Sequence, residues 1–72
     1  MKKHDEILLL KLVGNKIRQK RIELKLSQET LSYDANIPKN QIGRIERGEI
    51  NTTILSLHKI CKALEINIKD LF

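Results

Sequence analysis

The sequence predicts an all-α domain built from five short helices, and three observations predict it. Apolar residues recur at helical spacing along most of the chain. Residues that cap or end helices break that pattern at intervals, the hydroxyl or amide side chains of Ser27, Asn36, Thr53 and Asn67 and the glycine Gly48. No stretch alternates apolar and polar residues long enough to pair as a sheet, since Ile66 to Ile68 alone has no partner strand.

The first helix is expected over about residues 5 to 25, where Leu10, Val13, Ile17 and Leu24 form a stripe and Asp5 and Glu6 oppose the positive end of the helix dipole. Ser27 then offers an N-cap to a two-turn second helix whose apolar face is Leu31 and Ala35. Asn36 tolerates the left-handed conformation and Pro38 presets a helical φ, so Asn36-Ile37-Pro38 reads as a tight turn. A third helix follows from residue 38 or 39 to Arg47, ended by Gly48. Thr53 caps a fourth, with the stripe Ile54, Leu57, Ile60, Cys61 and Leu64, and Asn67 caps a last helical turn through Phe72.

At 72 residues the chain has core for a single unit, so residues 1–72 are read as one domain. A multi-domain enzyme is excluded, and no room is left for a sensor domain. The hydrophobic fraction of 40% suits a folded globular protein. The longest apolar run, Ile7 to Leu10, is far too short for a membrane span or a signal-peptide core, so no membrane partner is expected. The single Cys61 fits a reducing compartment, which points to the cytoplasm.

A net charge of +5 favours a polyanionic partner. Tyr33 and Phe72 are the only aromatic residues, which argues against stacking single-stranded bases and favours a duplex. The charge is unevenly placed. Residues 1 to 26 carry 8 basic and 3 acidic groups, whereas residues 27 to 54 carry 3 and 4. Any recognition by that central segment must therefore rest on aimed side chains rather than on bulk charge.

Successive helical residues are rotated by about 100°, so faces follow from spacing. Arg21 lies about 20° from Leu10 and falls inside the apolar stripe of the first helix. Glu46 lies about 40° from Ile42 and points inward from the third. Buried charges are costly unless paired, so Arg21 and Glu46 are expected to form a structural ion pair. The opposite face of the third helix carries Asn40, Gly43, Arg44 and Arg47 and reads as polar and sterically open. Arg44 suits guanine O6 and N7, and Asn40 suits adenine N6 and N7. Two helices joined by a tight turn, the later one presenting such a face, have the shape of a helix-turn-helix.

The stretch from Leu26-Ser-Gln-Glu-Thr-Leu through Ile42-Gly-Arg-Ile-Glu-Arg-Gly48, then Asn51, Leu57 to Leu64 and the ending Ile68-Lys-Asp-Leu-Phe72, resembles the Cro/repressor-type, or Xre, helix-turn-helix family. The resemblance runs without a gap from Val13 to Phe72 and leaves residues 1–12 as an N-terminal extension of the first helix. It implies a compact lambda-repressor-like fold, with the motif at helices 2 and 3. It implies sequence-specific binding to double-stranded DNA by a small transcriptional regulator on the nucleoid: a repressor, a restriction-modification controller or an antitoxin. Lys39, Asn40, Gln41 and Arg44 would read bases; Gln28, Arg47 and the amides near Gly48 and Asn51 would hold phosphate. The Arg21 with Glu46 pair matches a salt bridge frequent in such domains.

The sequence departs from the family pattern at Ser32, Asn36 and Pro38. The first two keep the motif, since Ser32 is small and Asn36 can adopt the required backbone. Pro38 removes a capping hydroxyl and an amide donor that could meet a phosphate.

His58 and Cys61 are spaced as two metal ligands on one helix, but structural zinc wants four and only His4 remains, so no metal or cofactor is expected. No nucleophile stands at a meaningful spacing from a base, and no glycine loop cradles phosphate, so no enzyme is expected. Leu8 and Leu12 lie about 160° from Leu10 and need cover. Either Leu71 and Phe72 fold back over them or they form a homodimer seam or a docking site for a partner such as a toxin. Family members generally bind two half-sites as dimers, which favours the homodimer. The other class of function is a protein-interaction module of the same fold that docks a toxin, with weak or no DNA binding.

Overall fold

The structure is a computed structural model that describes residues 3–72. Its elements are α1 (Lys3–Glu23), α2 (Gln28–Ala35), α3 (Lys39–Glu46), α4 (Ile54–Leu64) and one 3-10 turn (Ile68–Leu71). The expected fifth helix is thus only that single turn. The bonds that form there are i to i+3: Asp70 N donates to Asn67 O at 2.9 Å and Phe72 N to Lys69 O at 3.2 Å. Asp70 returns a carboxylate bond to the Asn67 amide at 3.0 Å, which fixes the start of the turn.

The caps act where the sequence placed them. Ser27 Oγ accepts from Thr30 N at 3.0 Å and Thr53 Oγ1 from Ser56 N at 3.0 Å, each satisfying an orphan amide of a helix start. Pro38 opens α3 with no side-chain cap. Of the expected N-terminal extension, residues 3–12 continue α1, and residues 1 and 2 lie outside the described residues.

The core gathers one face from every element. Ile17, Leu31, Ile42, Ile60, Leu64 and Leu71 are fully buried, each contributing about 1.5–3 kcal/mol by leaving water. α3 packs against α1 and α2, and α4 backs α2. Cys61 is a buried core residue, and burial pushes its thiol above the ordinary range. His58, one turn before Cys61 on α4, is exposed.

Two expectations about apolar residues are corrected. Leu24 and Ile54 are exposed at 39% and 76%, although both continue a helical stripe. Leu24 falls just past the end of α1 and Ile54 is the first residue of α4, where the stripe has run beyond the elements it packs on. Leu71 does not cover Leu8 and Leu12 either. It packs with Lys16, Gln19, Lys20 and Glu23 at the other end of α1, and Phe72 is exposed.

Two glycines allow the approach of α1 to the end of α3. A Cβ on Gly14 would run into the carbonyl oxygens of Ile45 and Glu46, lying 2.6 Å from the latter. A Cβ on Gly48 would lie 2.8 Å from the Lys11 backbone, and Gly48 also has φ +71°, which favours glycine.

Candidate nucleic-acid interface

The inward side of α3 is held by charge as well as by Ile42 and Ile45. Arg21 Nε donates to Glu46 Oε2 at 2.7 Å and Arg21 Nη2 to Glu46 Oε1 at 3.1 Å, a bidentate pair. Arg21 Nη1 also donates to the Leu26 carbonyl at 2.8 Å, which ties the link between α1 and α2 to the same guanidinium. Gln28 Nε2 adds a bond to Glu46 Oε1 at 3.1 Å. Glu46 is 5% exposed, so its charge is compensated by these donors rather than by water. Together these bonds fix the roll of α3 about its axis. They thereby decide which residues face outward.

Facing outward, Gln28, Lys39, Asn40, Gly43, Arg44 and Arg47 line one shallow groove between the start of α2 and the length of α3. Five of the eight residues expected to meet DNA are therefore brought together. Gln41 is half-buried and stands outside the groove, as do Gly48 and Asn51. Asn51 lies beside the first turns of α1, with Lys3, Glu6, Ile7, Leu9 and Leu10.

The face is less open than its sequence implies. Gly43 is buried, because the ends of Arg47 and Gln28 lie over it: a Cβ there would be 3.1 Å from Arg47 Nη1 and 3.6 Å from the Gln28 amide. Gly43 is the floor of the groove, and even an alanine there would require the end of Arg47 to shift by a few tenths of an ångström.

Sequence reasoning missed two partners of this site. Gln28 was expected only as a phosphate contact, and its bond to Glu46 also joins the inner ion pair to the outer groove. Glu49 was not expected at the site, yet Arg47 Nε donates to Glu49 Oε2 at 2.9 Å and Nη2 to Oε1 at 3.1 Å. These bonds hold the Glu49 carboxyl below the usual carboxylate range, with the charges of Arg47 and Arg44 adding to them, and they raise Arg47 in turn. A signal for the second pair exists in the sequence: Gly48 ends the helix between two oppositely charged residues, and the reversal folds them together.

The model of the helix-turn-helix family matches residues 17–71. Control protein C.BamHI of Bacillus amyloliquefaciens is 39% identical over 61 residues, which is 83% of this chain and 75% of that protein. The uncharacterized HTH-type transcriptional regulator YgzD of Bacillus subtilis (strain 168) is 31% identical over 58 residues, 81% of this chain and 88% of the relative. The crystal structure of the restriction-modification controller protein C.AhdI from Aeromonas hydrophila superposes with a TM-score of 0.85 at 33% identity, covering 88% of this chain and 96% of the other.

Proposed function

The chain belongs to the Cro/repressor-type (Xre) helix-turn-helix family, and from that membership we infer that it is a sequence-specific DNA-binding regulator of transcription that lays α3 in the major groove. One observation carries the reading to particular residues: the groove that unites Gln28, Lys39, Asn40, Arg44 and Arg47 on the one face of α3 that the inner ion pair leaves outward.

Within that groove Arg44 is the guanine reader and Asn40 the adenine reader, each able to make two bonds to one base edge. Lys39 and Gln41 serve the flanks. Gln28 and Arg47, whose side chains lie together over Gly43, meet phosphates, and the amides near Gly48 and Asn51 extend that contact. The central segment has one more acidic than basic group, so the excess charge on residues 1 to 26 acts as a steering field and these contacts carry the binding.

The likeness to C.BamHI and C.AhdI favours a restriction-modification controller among small regulators of this class. The protein acts as a homodimer on two half-sites about one helical turn apart. Ile7, Leu8, Leu9 and Leu12, all exposed on α1, are apolar surface that a second copy would cover. Sedimentation showing only monomer at micromolar concentration, with and without DNA, would remove the dimer from this reading.

Selection of bound sites from random duplex tests the function and returns the half-site. A single enriched sequence, bound with affinity that falls steeply from about 50 to 200 mM salt, is the expected result. No enrichment, or affinity indifferent to salt, would overturn it.

A further inference from the structure

All four α-helices end on a residue of positive φ: Lys25 at 59°, Asn36 at 56°, Gly48 at 71° and Glu65 at 58°. In each case the next amide closes back onto the last turn. Leu26 N donates to Arg21 O at 3.0 Å, Ile37 N to Ser32 O at 3.0 Å, Glu49 N to Arg44 O at 2.9 Å and Ile66 N to Cys61 O at 3.0 Å. The residue so placed commonly seals the helix end with an apolar side chain, and three of the four do. Leu26 and Ile66 pack against the core and Ile37 belongs to it. Glu49 is the exception, and it occurs on the helix with the outward groove.

The backbone closure fixes where Glu49 stands, and its carboxylate takes two of the donor groups of Arg47. The third, Nη1, lies over Gly43. The two side chains are 57% and 48% exposed, so the pair adds little to folding and separates at little expense to the fold. A guanidinium does not lose its proton in a protein, so Arg47 keeps all its donors for whichever acceptor meets it. A phosphate offers it the same two-oxygen geometry as a carboxylate.

We propose that Glu49 is an internal competitor for DNA phosphate, holding Arg47 until a phosphate displaces it, so that affinity for every duplex is set below what the same face would reach without it. This rests on the DNA-binding reading above. Phosphate contacts carry no sequence information, so the effect is the same on a cognate and a random site.

The test is titration of labelled duplexes, one carrying the selected site and one of random sequence, with the full chain, Glu49→Gln, Arg47→Ala and the double variant. Glu49→Gln is expected to bind both duplexes about two- to fivefold more tightly, by equal factors, as fits release of one exposed ion pair. In the Arg47→Ala background that gain should shrink toward unity. An unchanged or weaker affinity of Glu49→Gln overturns the proposal, and so does a gain that persists undiminished without Arg47. If the unaltered chain binds the selected duplex while Glu49→Gln changes nothing, the inference alone fails. If the unaltered chain binds neither duplex, the DNA-binding reading fails with it.

Discussion

Two arginine–glutamate pairs meet back to back at the end of α3. Glu46, facing inward, is held by Arg21, by Gln28 and, through Arg21, by the Leu26 carbonyl. One residue past it, Arg47 faces outward and is held by Glu49 alone. Both pairs are bidentate with bonds between 2.7 and 3.1 Å, so bond geometry does not distinguish them. Burial does. The inner side chains are 12% and 1% exposed, and removing Arg21 strands a carboxylate that water hardly reaches. The outer ones are 57% and 48% exposed, and water or a phosphate can replace either partner. One pair therefore sets the orientation of the helix, and the other is an exchangeable contact on the surface so oriented.

The sharpest way to break this contrast is Arg21→Met, which leaves Glu46 buried without its main partner. A loss of about 3–5 kcal/mol in unfolding free energy by urea denaturation is expected, and adding Glu46→Leu should recover most of it. A loss below about 1 kcal/mol would mean that the pair behaves like a surface bridge. Gly14→Ala attacks the same junction through the backbone, since the new Cβ meets the Ile45 and Glu46 carbonyls. It should lower stability by about 1–3 kcal/mol in a thermal melt, even though alanine is the better helix former by about 1 kcal/mol. Gln28→Ala removes one of three bonds to Glu46 and should cost about 1 kcal/mol. The outer pair gives the smallest effect. Because Glu49 is held below the ordinary carboxylate range in the folded chain, its contribution is present above that range and fades as pH falls through the lowered value. Titration of the Glu49 carboxyl carbon by NMR should show a depressed midpoint that rises in Arg47→Ala, while the thermal midpoint at neutral pH barely moves.

Legibility in the sequence divides along the same line. Caps are local: Ser27, Asn36, Gly48 and Thr53 act through bonds to amides or carbonyls within a few residues, so their chemistry announces the helix ends. The inward aim of Arg21 and Glu46 was legible because each lies within a helix and spacing fixes its face. Arg47 with Glu49 was not legible from helical spacing, because a helical wheel separates residues two apart by about 200° and the chain leaves the helix between them; only the glycine between opposite charges marks it. Gly14 gave no signal either. Its need for a missing side chain comes from the carbonyls of a helix some thirty residues further on. The exposed leucines of α1 were legible as unpartnered, and of the two covers weighed for them the one by the last residues does not form, because Leu71 lies near Lys20, far along the helix from Leu8.

The outward face of α3 is tested most directly by the affinity of Arg44→Ala for the selected site, for its single-base variants and for random duplex at one salt concentration. The expected result is a loss of about 1–3 kcal/mol on the selected site, with base preference relaxed at one position. Affinity for random duplex and the thermal midpoint should stay as they were. Equal losses on selected and random duplex would contradict it, because Arg44 would then be holding phosphate rather than reading a base.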